Sequence, residues 1–210
     1  MLPTWSRATG SLAVLAGMVL LVHARPPRPV PEDATALRQE LDAARGELAV
    51  LRLAMNRTRT IEHYAAQYGI TPTLAETIYD IALAEGVDPG LAFGLVKVES
   101  NFDPLARSKA GAVGYTQVLP GTARLYEPGL TDRQLYDGRT NLRLGFRYLR
   151  DLLERYQAGS NDANATRLAL LAYNRGPARV EALLSMGHDP QNGYSTAVLR
   201  GSGHGMGPRP

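Results

Sequence analysis

The feature that most constrains the fold of this chain is the succession of helix signals between residues 61 and 200. Two predicted helices begin with proline directly after a residue whose side chain can cap a helix, at Thr71-Pro72 and at Asp88-Pro89. Proline is favoured at the first helical position because the N–H that it lacks would have no partner there. No stretch of alternating β-branched residues is long enough to predict a strand. The sequence therefore predicts an all-α domain over residues 61–200.

Apolar spacing and helix breakers divide this region into successive helices. Between Asn101 and Gly121 there is no periodicity, and small and turn-forming residues dominate. The longest predicted helix is amphipathic, with one apolar face formed by Leu142, Phe146, Leu149, Leu153 and Tyr156. The predicted helices cover approximately residues 72–85, 89–100, a short stretch opened by Pro120, 141–157, 164–174, 177–186 and 191–200.

A heptad pattern precedes this domain, over residues 32–60. Apolar side chains are spaced alternately three and four residues apart, with Arg, Glu, Gln and Asp between them. Such spacing over about three heptads is typical of a short coiled coil, which would give self-association or a partner helix. It also fits a single amphipathic helix lying on the next domain, and both interpretations stay open. The spaced residues are Ala34, Leu37, Leu41, Ala44, Leu48, Leu51 and Met55.

The N-terminal segment predicts export from the cytoplasm. An uncharged apolar run covers residues 11–22, which is the length of a signal-peptide core and short for a membrane span. Val22 and Ala24 are small residues with the spacing that cleavage after Ala24 requires. Residues 1–24 are therefore predicted to be a cleaved signal peptide or an uncleaved anchor in the inner membrane. The rest of the chain is expected in the periplasm or cell envelope.

Two polar segments complete the predicted organisation of the chain. Residues 25–31 form a Pro/Arg linker, and residues 201–210, which are rich in glycine, read as a disordered tail.

Composition excludes several kinds of site. The chain has no cysteine, which rules out a disulfide framework, a thiolate zinc site and a cysteine nucleophile. The net charge is only +3 and no dense basic run occurs, so nucleic acid is not an expected partner. The four histidines do not pair at metal-ligand spacing. No metal, nucleotide or redox cofactor is expected.

Glu99 is the carboxylate with the most unusual predicted environment. It lies in the last turn of the predicted helix LAFGLVKVES, whose Leu91, Leu95 and Val98 form an apolar face. The negative end of the helix dipole and the apolar neighbours both raise the pKa of such a carboxyl group, which suits a general acid. An acidic residue at a helix end is usually a solvated surface residue, so a catalytic role for Glu99 depends on the residues that surround it.

Glu99 opens an ordered set of motifs. The motifs are Glu99-Ser100-Asn101-Phe102, the segment Asp103 to Ser108, the loop Gly111 to Gln117, Asn141 with Gly145 and Tyr148, Ala172-Tyr173-Asn174, and Tyr194 with Val198. With these motifs in this order, the sequence resembles the soluble lytic transglycosylase (SLT) domain, a goose-lysozyme-like helical fold that cleaves peptidoglycan. The resemblance covers about residues 74–200.

The resemblance implies roles for four residues, and these are the candidate site. Glu99 would be the single catalytic acid and base. Ser108 and Gln117 fall on positions that contact the sugar in that family, and Tyr173 resembles a tyrosine that orients the glutamate or the glycan. Two asparagines, Asn141 and Asn174, would have structural roles by the same resemblance, and Gly111 and Gly114 would let the backbone approach the saccharide.

The sequence differs from many family members at Tyr115-Thr116, where leucine and methionine are common. Phe102 and Tyr115 have side chains that stack on sugar rings or pack into a core, and the sequence leaves both interpretations open.

A single carboxylate limits the mechanism. Most glycosidases use two carboxylates, whereas Asp103, which precedes Pro104, is better explained as a turn residue. The resemblance implies that the substrate supplies the missing groups and that peptidoglycan glycan strands yield a 1,6-anhydromuramoyl product. Two other functions stay open: a lysozyme-like hydrolase on the same fold, and a non-catalytic module that binds glycan or a partner.

Overall fold

The computed structural model describes residues 32–157 and 162–202, and within these ranges the regular secondary structure is helical apart from two isolated β-bridges. The prediction of an all-α fold is therefore confirmed. The helices are α1 (Glu32–Tyr68), α2 (Pro72–Ala84), α3 (Pro89–Ser100), α4 (Pro120–Tyr126), α5 (Asp132–Leu135), α6 (Gly138–Gln157), α7 (Asp162–Arg175), α8 (Pro177–Ser185) and α9 (Tyr194–Gly201).

The chain divides into two compact units, residues 1–50 and 51–210. The described part of the first unit is the N-terminal portion of α1, whose side chains are mostly exposed. Helix α1 continues to Tyr68, whereas the heptad pattern predicted a helix over residues 32–60. It ends where Gly69 adopts φ +65°, a conformation that glycine adopts without strain.

The predicted export segment over residues 1–24 and the linker over 25–31 lie outside the described residues. No helix in the described ranges is long and apolar enough to cross a membrane. Two residues of the predicted tail belong to a helix end, because α9 includes Gly201 and Ser202 caps it. The remainder of the tail, residues 203–210, is also outside the described part.

The helix starts follow the sequence signals closely. Thr71 Oγ1 accepts a hydrogen bond from the Leu74 N–H at 3.2 Å, and Asp88 Oδ1 accepts one from the Leu91 N–H at 2.9 Å. The sequence analysis missed α5, a single turn that begins with a capping box between Thr131 and Gln134. That motif, threonine followed three residues later by glutamine, was the available signal.

Helix α3 lies at the centre of the second unit and is buried from Gly90 to Val96. Its predicted apolar face was wrong at one position, because Val98 is exposed while Leu91 and Leu95 are buried. The core instead continues through Phe93, whose ring centroid lies 4.1 Å from that of Tyr64. Through these rings, the last turns of α1 pack against the middle of α3.

Helix α9 packs on α3 with almost no side chains between their backbones. A Cβ atom on Gly90 would lie 2.8 Å from the carbonyl oxygen of Ser202, and one on Gly94 would overlap the carbonyl oxygen of Val198. The two glycines are four residues apart and therefore share one face of α3. Only residues without a side chain at these positions allow α9 to lie this close.

We expect Gly94→Ala to lower the free energy of unfolding by about 1–3 kcal/mol, because the added methyl group must push α9 away from α3. Urea denaturation measures the change. The matched control is Gly121→Ala in α4, where a Cβ would have no neighbour within 4 Å. Alanine is a better helix former than glycine, so the control should be neutral or stabilising by less than about 1 kcal/mol. Equal destabilisation by both changes would contradict the close α3–α9 contact.

Candidate active site

Glu99 lies in the last turn of α3, and its side chain is only partly accessible. The hydroxyl group of Tyr194, the first residue of α9, donates a hydrogen bond to Glu99 Oε1. The two residues are far apart in sequence, and the close packing of α9 on α3 brings them together. The sequence analysis placed Tyr194 among the motifs but gave it no role, because no local pattern shows which side chain it meets.

The environment of Glu99 raises its pKa from 4.5 to about 7. Removal of the carboxyl group from water is the main cause, because burial disfavours the charged form. The hydrogen bond from Tyr194 acts in the opposite direction, since it stabilises the carboxylate. The direction of the predicted pKa shift is therefore present, and burial, which the apolar neighbours predicted, is its cause. Glu99 exists in both protonated and ionised forms near neutral pH.

Tyr194 remains a hydrogen-bond donor throughout the physiological pH range. Burial, followed by the nearby charge of Glu99, raises the pKa of its phenol well above the ordinary value. The start of α9 fixes its position, since the Tyr194 N–H donates to Asn192 Oδ1 at 3.2 Å after Gly193 turns the chain with φ +83°.

The loop after α3 is held by a buried asparagine, as the resemblance implied. Asn141 Oδ1 accepts a hydrogen bond from the Thr116 N–H at 2.9 Å, and its Nδ2 donates to the carbonyl oxygens of Val113 and Leu135 at 2.9 and 3.2 Å. The space beside Gly114 is filled by this asparagine and not left open to a saccharide. Asn141 thus fixes the loop from which the predicted sugar-binding residues arise.

Ser108 and Gln117 both face the same cavity as Glu99. Ser108 Oγ accepts a hydrogen bond from the Ala112 N–H at 3.0 Å, which leaves its own proton free to donate. Gln117 Nε2 donates to the carbonyl oxygens of Ala106 and Gly114 at 3.0 and 3.1 Å. The amide is therefore oriented by the loop, and its Oε1 atom is the group available as an acceptor.

Tyr173 lines the cavity as well, but its hydroxyl group has a different partner from the one expected. It donates a hydrogen bond to the carbonyl oxygen of Thr116 at 2.8 Å, and its ring lies 5.2 Å from that of Tyr148. Burial, together with the charge of Glu99, raises the pKa of Tyr173 well above its ordinary value. Tyr173 therefore stabilises the loop beside Glu99, while Tyr194 contacts the carboxyl group.

The cavity has a volume of about 520 Å³, and Glu99 is the only carboxylate among the described residues that line it. Arg175, which the sequence analysis did not select, adds a positive charge to the lining, with its Nη1 donating to the carbonyl oxygen of Pro190 at 2.8 Å. The wall consists mainly of polar and aromatic side chains, including Ser108, Thr122, Tyr148, Tyr173 and Asn174. This combination suits a polar ligand with several hydroxyl groups.

Three residues close to Glu99 or the loop after α3 do not line the cavity. Asp103 is exposed, and its Oδ1 accepts a hydrogen bond from the Leu105 N–H at 2.8 Å, as expected for a turn residue. Phe102 is buried, with its ring 5.2 Å from that of Tyr68. Tyr115 packs against the same core. Of the two interpretations for these aromatic residues, the structure supports packing.

No group of three or more histidine, aspartate or glutamate side chains is arranged to hold a metal ion within residues 32–157 and 162–202. Among the residues that line the cavity, the Glu99 carboxyl group has a pKa of about 7, which suits a group that donates or accepts a proton near neutral pH.

Comparison with known proteins places these features in a family. The family described as the transglycosylase SLT domain matches residues 76–189. Membrane-bound lytic murein transglycosylase C of Haemophilus ducreyi is 39% identical over 103 residues, which cover 45% of this chain and 28% of the relative. The protein of the same name in Haemophilus influenzae is 35% identical over 105 residues, covering 45% and 29%. The chain thus spans less than a third of the length of these relatives.

Solved structures have the same fold. The lytic transglycosylase Slt of Pseudomonas aeruginosa, solved as an inactive mutant, is 28% identical with a TM-score of 0.51, covering 60% of this chain and 22% of that one. A 70-kDa soluble lytic transglycosylase in complex with bulgecin A is 28% identical with a TM-score of 0.50, covering 60% and 23%. The predicted lysozyme-like helical fold is thereby confirmed.

The buried carboxyl group should make stability depend on pH. The Glu99 pKa is about 7 in the folded protein and near 4.5 in the unfolded chain, so the folded state loses stability as the pH rises through this range. Glu99→Gln removes the charge, and we expect it to raise the free energy of unfolding by up to about 3 kcal/mol at pH 8. At pH 4.5 the variant and the parent protein should differ little. Thermal melting at both pH values measures this, and an equal difference at both would contradict the burial.

Tyr194→Phe should raise the pKa of Glu99 further, because the variant loses the hydrogen bond that favours the carboxylate. Titration of the labelled Glu99 carboxyl carbon by NMR measures it directly. The comparison variant is Tyr173→Phe, which removes the bond to Thr116 and keeps the one between Tyr194 and Glu99. A Glu99 pKa that stays the same or falls in Tyr194→Phe would show that the phenol does not stabilise the carboxylate.

Proposed function

This chain belongs to the transglycosylase SLT family, and on that basis we propose that it is a lytic transglycosylase of peptidoglycan. It would cleave the β-1,4 bond between N-acetylmuramic acid and N-acetylglucosamine and form a 1,6-anhydromuramoyl product. The observation that carries the proposal is Glu99, a partly buried carboxyl group with a pKa of about 7 and the only carboxylate on the described cavity wall. Residues 61–200 form the proposed catalytic domain.

In the first step Glu99 acts as an acid. Its protonated carboxyl group donates a proton to the glycosidic oxygen, and the bond from this oxygen to C1 of the muramoyl residue breaks. A pKa close to the working pH is favourable, because a useful fraction of the group is protonated and still transfers its proton readily. The N-acetyl group at C2 of the same sugar assists departure, so that no second carboxylate is needed.

In the second step the same residue acts as a base. The Glu99 carboxylate takes the proton from the C6 hydroxyl group while that oxygen forms a bond to C1. The proton lost in the first step returns, and no water is consumed. The hydrogen bond from Tyr194 holds the carboxyl group in one orientation through both steps and stabilises its charged form between them.

The loop after α3 would supply substrate contacts. Ser108 keeps a hydroxyl proton to donate, and Gln117 presents an oxygen that accepts from a sugar hydroxyl or acetamido N–H. Tyr173 would contribute a ring surface to the cavity wall, while its hydroxyl group stabilises the loop. All three would contact the sugar through neutral groups, as hydrogen-bond donor, hydrogen-bond acceptor and ring surface.

The proposed location is the cell envelope. Relatives are named membrane-bound murein transglycosylases, and the substrate of the proposed reaction lies outside the cytoplasm. Residues 1–24 would direct the chain there, as a cleaved signal peptide or as an anchor in the inner membrane.

Glu99→Gln should reduce the rate of sacculus digestion at least about 100-fold, because the amide cannot donate the proton. Asp103→Asn is the matched control, since it removes a nearby carboxylate that forms a turn outside the cavity. It should leave the rate essentially unchanged. Solubilised muropeptides measure both rates. A Glu99→Gln protein that retains a tenth of the activity would exclude Glu99 as the acid.

Mass spectrometry of the products distinguishes the two glycan-cleaving functions. The transglycosylase produces anhydromuramoyl ends, which are one water lighter than the reducing ends that a hydrolase produces. Reducing ends alone would replace the proposal with a lysozyme-like hydrolase.

A further inference from the structure

The N-terminal part of α1 carries an apolar stripe with no partner within the described chain. The stripe consists of the heptad residues, and the exposed fraction of its large side chains runs from 47% at Leu41 to 66% at Leu37. We call this stripe the seam. It occupies heptad positions a and d, with Ala34, Leu41, Leu48 and Met55 at a, and Leu37, Ala44 and Leu51 at d.

Charges of opposite sign flank the seam on its two sides. The g positions, directly before each a residue, hold Asp33, Glu40 and Glu47. The e positions, directly after each d residue, hold Arg38, Arg45 and Arg52. One edge is thus acidic and the other is entirely arginine over three successive heptads, and all six side chains belong to exposed residues. Arg45 also lies 3.4 Å from Asp42, an exposed contact of the kind that contributes little.

This pattern selects one partner and one orientation. In a parallel two-stranded coiled coil, a g residue faces the e residue five positions later on the other helix. Asp33 would then face Arg38 of a second copy, Glu40 would face Arg45, and Glu47 would face Arg52. In an antiparallel pair g faces g and e faces e, which would bring like charges together along both edges. The edges are therefore complementary to a second copy of the same helix in parallel orientation.

We propose that residues 33–55 of two copies of this chain form a parallel, in-register coiled coil. The proposal is independent of the proposed function, because no residue of the seam or its edges lines the cavity with Glu99.

The sequence also explains where the seam ends. The next a and d positions are Thr58 and Glu62, which are polar and exposed. From Ile61 onward the apolar stripe of α1 shifts to another face, where Ile61 and Ala65 are buried in the core of the second unit. Arg57, just before the shift, pairs with Asp80 of α2 at 2.7 Å. From Arg57 onward, helix α1 therefore contacts the second unit, whereas the apolar seam before Arg57 is exposed.

Charge reversal on the full chain tests the pairing. The first variant combines Asp33→Arg, Glu40→Arg and Glu47→Arg, and the second combines Arg38→Glu, Arg45→Glu and Arg52→Glu. In detergent at tens of micromolar, the unmodified chain should sediment as a dimer. Each variant alone should self-associate at least about 100-fold more weakly, because each of the attractions between the charged edges becomes a repulsion while the apolar seam is unchanged. An equimolar mixture of the two variants should restore the dimer.

The N-terminal apolar segment is identical in all of these proteins, so association through detergent micelles would not differ among them. Circular dichroism checks that each variant keeps its helix content. A monomeric unmodified chain would overturn the proposal in favour of another partner for the seam. Variants that dimerise as strongly as the unmodified chain would overturn it as well.

The absence of cysteine allows a direct test of orientation. Leu37→Cys introduces one thiol at a d position near one end of the seam, which faces its own counterpart only in the parallel register. Mild oxidation should link it into a disulfide dimer with at least about tenfold higher yield than the control Gln39→Cys, whose position points away from the seam. Equal yields for the two variants would overturn the parallel pairing. Because this test does not use the charge variants, it applies even if one of those variants fails to fold.

Discussion

The direct contact between the backbones of α3 and α9 is the constraint on which the rest of the site depends. Glu99 ends one of these helices and Tyr194 begins the other, so the distance between the helix axes decides whether phenol and carboxyl group meet. Gly90 and Gly94 set that distance, because any side chain there would separate the backbones. A packing requirement in the interior of α3 thus controls the electrostatics at its end.

Burial raises the pKa of Glu99 at the expense of the stability of the folded state. An ionised carboxylate that is removed from water is unfavourable, and here one phenol offsets only part of that penalty. The surrounding loop is correspondingly well supported, since Asn141 fixes Thr116 and Tyr173 bonds to the carbonyl oxygen of the same residue. These hydrogen bonds stabilise the loop at Thr116, and the buried carboxyl group of Glu99 beside it has the opposite effect on the stability of the domain.

Local signals in the sequence predicted several of the helices and the residues of the candidate site. Proline and cap residues located α2 and α3, and the resemblance to the SLT domain selected Glu99, Ser108, Gln117 and Tyr173, which line one cavity in the structure. The partners of the tyrosines were not predictable, because Tyr173 and Tyr194 meet Thr116 and Glu99 only through helix packing. Val98 was assigned to the core from its spacing alone, although α3 emerges from the core before that residue. The functional roles of the four site residues and the segment boundaries remain predictions.

The contact between the rings of Phe102 and Tyr68 constrains how this domain can change in evolution. The backbone of Phe102 is left-handed with φ 64°, which disfavours a bulky residue, yet its ring is buried against Tyr68 at the end of α1. The turn that follows Glu99 and the helix that precedes α2 therefore share one contact. A replacement at either position changes the shape that the other side chain must fit. Positions 68 and 102 should therefore covary among aligned relatives, so that the end of α1 and the turn after Glu99 change together.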